Sequence, residues 1–191
     1  MKFVQVLCLA LLFILQTFLL SQSQASPYRN WEAFFGGMLT TFAIHESSHY
    51  LMAKLYGFDI GLDNVSIVYP DWDPTPREKM RIASAGFQGQ WIVSELAFSR
   101  LEKKPDEKYY EGIVAGHVAI SLAYTILKKN DTSDIHSMSS VSDFSSNELL
   151  LFLLVPASID VFRLWVDESP KWLKNISIAS KGLGITAIWK Y

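Results

Sequence analysis

Apolar stretches about as long as a helix alternate with short polar segments along this chain. Roughly 20 consecutive apolar residues are needed for a helix to cross the hydrocarbon core of a bilayer. The pattern therefore predicts an all-α fold, a polytopic membrane helix bundle with four to five spans after an N-terminal signal or anchor. The expected helices cover residues 31–56, 75–100, 109–127 and 149–165, and residues 172–191 form either a tilted span or an interfacial helix.

Local signals indicate where several of these helices begin and end. Residues 75–78 combine a threonine cap, a proline at the first helical position and a glutamate three residues after the cap. Residues 145–148 form a second capping box, and Gly57 is suited to end the first helix. Residues 60–69 alternate loosely between apolar and polar, which predicts a small strand or hairpin between the first two core helices. An ordinary surface loop fits the same residues.

The first 25 residues are typical of an export signal. Lys2 gives a basic start, residues 3–20 are apolar, and residues 23–25 form a small-x-small cleavage sequence. The same apolar run is long enough to remain as an anchor helix. The chain is therefore divided into a signal peptide or anchor, residues 1–25, and a single membrane-embedded domain, residues 26–191.

Composition excludes some classes of protein. The formal net charge of −2 gives no basic surface for nucleic acid, so no nucleic-acid partner is expected. Cys8 is the only cysteine of the 191 residues and lies in the leader. The rest of the chain therefore has neither a disulfide nor a cysteine-based zinc site.

The sequence His-Glu-Ser-Ser-His at positions 45–49 carries the most specific chemical signal. His45 and His49 are four residues apart, so on a helix they share a face and can bind one metal ion. Glu46 lies beside that face, where its carboxylate can serve as a general base. The alternative is a core helix that carries two histidines by chance. The uncharged residues around the motif favour a functional site, since ionisable groups are costly in apolar helices.

Residues 45–57 resemble the active-site helix of the site-2 protease family, which are membrane-embedded zinc metalloproteases. The family pattern is H-E-x-G-H-x-x-x-A followed by a basic residue and a glycine. Ser48 departs from it, since glycine is usual there. The residues that fall on the pattern are His45, Glu46, His49, Ala53, Lys54 and Gly57.

This resemblance implies a function and a location. The function is zinc-dependent hydrolysis of peptide bonds within or next to the membrane, with Zn²⁺ as cofactor and Glu46 as the catalytic residue. Residues 26–191 are then a metalloprotease-like domain that contacts membrane lipid and takes a membrane protein or peptide as substrate. The expected location is that of an integral membrane protein, as in a bacterial inner membrane.

A second, partial match lies at residues 85–90, which are similar to the A-G-P-x-x-N element of the same family. Ala85 and Gly86 match, Phe87 replaces the usual proline, and Gln90 replaces asparagine with another carboxamide. The match implies that Gln90 and Gly86 contact substrate or a developing oxyanion. Close packing of helices through small residues explains the same glycine.

Two histidines leave one position of a three-ligand zinc site unassigned. Asp160 is the first candidate, because the third ligand in the resembled family is an aspartate on a later helix near a proline. The alternative for Asp160 is an ion pair with Arg163, three residues on. The secondary candidates are His117, Asp134 and His136. The last two lie in a polar segment, residues 130–146, which predicts a solvated loop, so they can act as ligands only if this loop folds inward.

Two other classes of protein fit the sequence. One is a membrane metal-binding protein or a metalloenzyme that cleaves no peptide bond, which the departures at Ser48 and Phe87 leave open. The other is a non-catalytic membrane scaffold that keeps the helix without the metal. Metal content separates the scaffold from the other two, and cleavage that depends on Glu46 separates those from each other.

Overall fold

The computed structural model describes residues 29–59, 61–63, 66–68, 73–127, 133–165 and 170–191. The predicted leader, residues 1–25, lies outside this part of the chain. The described elements are α1 (Arg29–Leu55), β1 (Gly61–Asp63), β2 (Ser66–Val68), α2 (Pro76–Leu101), α3 (Lys108–Leu127), α4 (Asp134–Ser139), α5 (Ser146–Trp165) and α6 (Lys171–Trp189).

The predicted helical fold is confirmed, and the five long helices begin and end within about three residues of their expected positions. Thr75 caps α2 through a reciprocal capping box with Glu78, and Ser145 and Glu148 form the same box before α5. Gly57 follows α1 with a φ of 81°, a conformation that glycine adopts without strain. The predicted hairpin is also present, since β1 and β2 pair antiparallel.

Two glycines bring α1 and α3 into backbone contact. A Cβ atom at Gly37 would lie 2.0 Å from the carbonyl oxygen of Tyr109, and one at Gly112 would lie 1.9 Å from that of Phe34. Only glycine permits so close an approach. Thr41 adds a hydrogen bond across the same interface, because its hydroxyl donates to the carbonyl of Ile113 at 2.8 Å. The register of α1 against α3 is thereby fixed one turn before His45.

The short helix α4 corrects the expectation for residues 130–146, which as a polar segment predicted a solvated loop. Ile135 and Met138, three residues apart, are both buried in the main apolar core. Burial of two such side chains contributes about 3–6 kcal/mol relative to exposure, which offsets the weak propensity of a helix this short. The segment therefore folds back onto the bundle. The other buried members of this core are Met80, Ala83, Phe87, Trp91, Tyr124, Leu149, Leu150, Leu153 and Ile188.

Charged side chains, as well as apolar ones, hold α5 and α6 against α2. Lys181 of α6 donates to Asp160 of α5 and to Glu95 of α2, both at 2.5 Å. Arg163 of α5 lies 2.6 Å from Glu95 and 3.0 Å from Asp160. Two acids and two bases therefore form one buried network among three helices, in which each charge has a partner of opposite sign.

Among the described helices, α3 alone is long and apolar enough to cross a membrane, and half of its apolar window is buried. A core helix of a soluble protein has the same properties. The other long helices carry ionisable residues that lower their hydropathy, such as Glu46 in α1, Asp160 in α5 and Lys181 in α6. The predicted polytopic membrane arrangement of four to five spans thus stays a prediction.

Candidate metal centre

Three ligand atoms from two helices meet at one point of the fold. The Nε2 atoms of His45 and His49, one turn apart on α1, lie 3.2 Å from each other. The Oδ2 atom of Asp134, the first residue of α4, lies 3.6 Å from the His45 Nε2 atom and 3.4 Å from the His49 Nε2 atom. Both imidazoles are buried, and the carboxylate is half-buried. The three side chains form a group that could hold a metal ion.

The spacing of these atoms fits zinc. Two ligand atoms bound at about 2.05 Å from a tetrahedral zinc ion lie about 3.3 Å apart. The three observed separations run from 3.2 to 3.6 Å, close to the edges of one face of that tetrahedron. A two-histidine, one-carboxylate set is also a common composition of catalytic zinc sites.

Hydrogen bonds on the far side of each ring direct a lone pair of each imidazole toward the centre. The Nδ1 atom of His49 lies 2.7 Å from the backbone carbonyl oxygen of Ile82, and that of His45 lies 3.1 Å from the Oε1 atom of Gln90. Both Nδ1 atoms therefore donate, and both Nε2 atoms are left facing the centre. A positive charge there, either a metal ion or a proton on His49, relieves the repulsion between these atoms and the Asp134 carboxylate.

The orientation of the Gln90 amide follows from its other neighbour. The Ser121 hydroxyl donates to the carbonyl oxygen of His117 at 2.9 Å, so its oxygen can only accept from the Gln90 Nε2 atom, 3.1 Å away. The amide oxygen of Gln90 must then face His45. This chain of hydrogen bonds, which crosses α1, α2 and α3, sets the tautomer of His45.

Gln90 thus has a role different from the predicted contact with substrate. Its side chain is fully buried, and its amide is committed to His45 and Ser121. A side chain without exposed surface does not reach a substrate carbonyl in this structure. Its amide orients the His45 imidazole instead.

If the group of three binds a metal ion, replacing Gln90 by leucine is expected to weaken that binding by roughly 10- to 100-fold, because the variant no longer fixes the His45 tautomer. The measurement is a zinc titration against a competing chelator on detergent-purified protein. Gln88→Leu is the matched control, since Gln88 is a buried glutamine of the same helix that bonds Ser84 and Trp189 instead. Equal losses of affinity in the two variants would show a general packing effect and contradict the assignment.

Gly86 provides the space in which the imidazoles lie. This close packing explains why a glycine stands at this position without the predicted contact with substrate. A Cβ atom there would lie 2.4 Å from the His49 Nε2 atom and 2.6 Å from the His45 Nε2 atom. One turn along, Gly89 accommodates Ser48, whose hydroxyl oxygen would lie 2.2 Å from an added Cβ. The resembled family has glycine at the position of Ser48. The serine fits here because the facing helix carries a glycine, Gly89, instead.

The Asp134 carboxylate is held as an anion at the centre. Burial disfavours its charge, but the imidazoles of His49 and His45 outweigh burial, so the pKa of this carboxyl lies well below its usual range. The Tyr124 hydroxyl donates to the same Oδ2 atom and lies 3.4 Å from the His45 Nε2 atom. Glu46 is half-buried beside the group, and its charge acts on both His49 and Tyr124.

Asp160 does not join the two imidazoles, so its prediction as third ligand is wrong. Its carboxylate is fully buried and bonds Lys181, Ser177 and Arg163. These three donors satisfy an anion that lies within an apolar helix. The predicted alternative, an ion pair with Arg163, is confirmed, and Asp134 is the third member of the group that could hold a metal ion.

The two other secondary candidates also lie outside the group of three. The Nε2 atom of His117 is 3.5 Å from the Asp160 carboxylate, in the network of α2, α5 and α6. His136 follows Asp134 by two residues on α4, and its backbone N–H donates to the Ser133 hydroxyl. Within the described residues, the group of potential metal ligands contains neither histidine.

Tyr124 and Ser121 are the site residues that the sequence did not single out. Both are polar groups within an apolar helix, where each must find a hydrogen-bond partner. This need for a partner is the signal that the sequence offers for both residues, although it does not identify the partner.

Comparison with models of protein families, with characterised proteins and with solved structures found no match to this chain.

Proposed function

We propose that the protein is a zinc-dependent peptidase that hydrolyses peptide bonds within or next to a membrane, as members of the site-2 protease family do. The observation that supports this most is the convergence of His45, His49 and Asp134 at the spacing of a tetrahedral zinc site, with Glu46 beside it. The resemblance of the motif is the reason for proposing this reaction, and the ligand geometry is the reason for proposing the metal centre.

The side chains divide the chemistry among them. His45, His49 and Asp134 would hold the ion, which would supply Lewis-acid chemistry and make a water molecule a nucleophile at neutral pH. Glu46 accepts the proton of the attacking water and returns it to the departing amine nitrogen. Gln90 and the Ile82 carbonyl keep both imidazoles in the tautomer that can bind the metal through Nε2.

The distribution of polar and apolar groups supports a membrane location. Large apolar side chains are exposed on five helices, while two charged side chains, Asp160 of α5 and Lys181 of α6, are buried. Lipid favours such an exterior, and water does not. The most exposed apolar side chains are Ile126, Leu55, Leu183, Leu96, Trp31, Leu51, Ile92 and Trp172.

The centre lies toward one end of the bundle. His49 is six residues before the end of α1 at Leu55, about 9 Å along the helix axis. Asp134 belongs to α4, beyond the end of α3. Hydrolysis needs water, and a position near the helix ends gives water access without a path through the whole bundle. We therefore propose cleavage close to the membrane surface.

The test is the variant Glu46→Gln, which should keep zinc and lower turnover by roughly 100-fold or more, because it lacks the proton acceptor. Cleavage is measured by mass spectrometry of new chain termini in membrane proteins incubated with the purified enzyme. Glu32→Gln, in the first turn of α1, is the control for losing a glutamate from this helix. Cleavage by Glu46→Gln at the rate of the wild type would remove Glu46 from the mechanism.

One observation favours a second candidate, a membrane metal-binding protein without peptidase activity. The Tyr124 hydroxyl lies 3.4 Å from the His45 Nε2 atom, close enough to offer a fourth ligand and to close the site. Zinc sites with four protein ligands are structural. Bound zinc together with no cleavage that depends on Glu46 would decide for this candidate.

A further inference from the structure

Tyr124 is fixed at the centre by its surroundings. Its ring packs edge-on against Phe87 of α2, with centroids 4.8 Å apart, and Phe87 packs edge-on against His45 of α1 at 5.2 Å. The Tyr124 ring also lies 6.0 Å from the His45 ring, so side chains of two other helices contact it. Its buried hydroxyl projects toward the ligand atoms, where it donates to Asp134.

Asp134 needs such a partner more than the histidines do. His45 and His49 lie within a helix of 27 residues, whereas Asp134 is the first residue of a helix of six. Its carboxylate is also the most exposed of the three ligand groups, at 23%. A short, partly exposed element orients a side chain poorly on its own. The hydroxyl of α3 connects this carboxylate to the rigid part of the bundle.

The geometry leaves room for both roles of the carboxylate oxygen. The Oδ2 atom that accepts from Tyr124 is the same atom that faces the two imidazoles. A carboxylate oxygen has two lone pairs, so one can accept the phenol proton while the other binds a metal ion.

We propose that Tyr124 is a positioning residue, which holds Asp134 in the orientation that binds the metal and so sets the affinity of the site. This inference rests on the proposed function, because it takes the group of three as a working metal centre. Tyr124 lies on α3, outside the His-Glu-Ser-Ser-His motif of α1.

The experiment is a titration of detergent-purified full-length protein with Zn²⁺ and with Co²⁺, against a competing chelator, for the wild type, Tyr124→Phe, Tyr109→Phe and Asp134→Ala. Tyr124→Phe should still bind one equivalent of metal, with a dissociation constant raised roughly 10- to 100-fold. Tyr109→Phe is the matched control, since it removes a tyrosine hydroxyl that lies on the same helix and bonds Thr40 at 3.0 Å. Its affinity should equal that of the wild type.

Three results would overturn the assignment, and they are distinguishable. An unchanged dissociation constant for Tyr124→Phe, even with a lower unfolding temperature of the metal-free protein, would reduce the hydroxyl to a structural role. A loss of metal as complete as in Asp134→Ala would make Tyr124 a ligand. Failure of the wild type itself to bind either metal would reject the proposed metal centre, and the role of Tyr124 with it.

Discussion

Replacement of Gly86 by alanine is expected to abolish stoichiometric zinc binding while the helices stay folded. The new methyl group would lie 2.4 Å from the His49 Nε2 atom and 2.6 Å from the His45 Nε2 atom, which is closer than nonbonded atoms approach. Both imidazoles would have to move, and they would lose the spacing that suits one ion. The helix itself gains, since alanine is favoured over glycine by about 1 kcal/mol inside a helix.

The measurement combines metal content with far-ultraviolet circular dichroism. Gly182→Ala is the control, because Gly182 is also a helical glycine and an added Cβ there has no neighbour within 4 Å. The control should keep one equivalent of zinc. A Gly86→Ala protein that binds zinc with the affinity of the wild type would contradict a metal site that packs against this glycine.

Replacement of Asp160 by alanine is expected to lower the free energy of unfolding by about 3–5 kcal/mol without loss of the metal. The carboxylate is fully buried and pairs with Lys181 at 2.5 Å and with Arg163 at 3.0 Å. Its removal leaves two buried cations that share the single carboxylate of Glu95. The cost of an uncompensated buried charge is what makes this effect large.

Unfolding of the purified protein by heat and by denaturant tests the expected loss. Glu102→Gln is the matched control, because Glu102, directly after α2, pairs with Lys174 of α6 at 2.7 Å in an exposed position. That pair should contribute less than about 1 kcal/mol. A stable Asp160→Ala protein that has lost its zinc would contradict the structural role and return Asp160 to the metal centre.

The fold was largely predictable, because its signals are local. The capping boxes at Thr75 and Ser145 and the left-handed Gly57 mark helix ends within a few residues of the observed bounds. The two histidines were predictable for the same reason, since four residues along a helix bring them to one face. Patterns of this kind need no knowledge of the rest of the molecule.

The third ligand was not predictable, because it depends on contacts between distant segments. An aspartate within an apolar helix looks costly until its partners are known, and one partner of Asp160, Lys181, lies on the following helix. Asp134, in contrast, stands in a polar segment and looks solvated. The evidence against that interpretation is the pair Ile135 and Met138, which is too short to reveal a buried helix by its periodicity.

The position of Asp134 has a consequence for the lifetime of the protein. About 90 residues of chain separate it from His45, so a bound ion would connect two helices, α4 and α1, that are distant in the sequence. An ion that binds only the folded state stabilises it by about 2.7 kcal/mol at a free concentration 100 times its dissociation constant. Metal supply would then govern how often α4 detaches, and with it the exposure of the chain to cellular proteases.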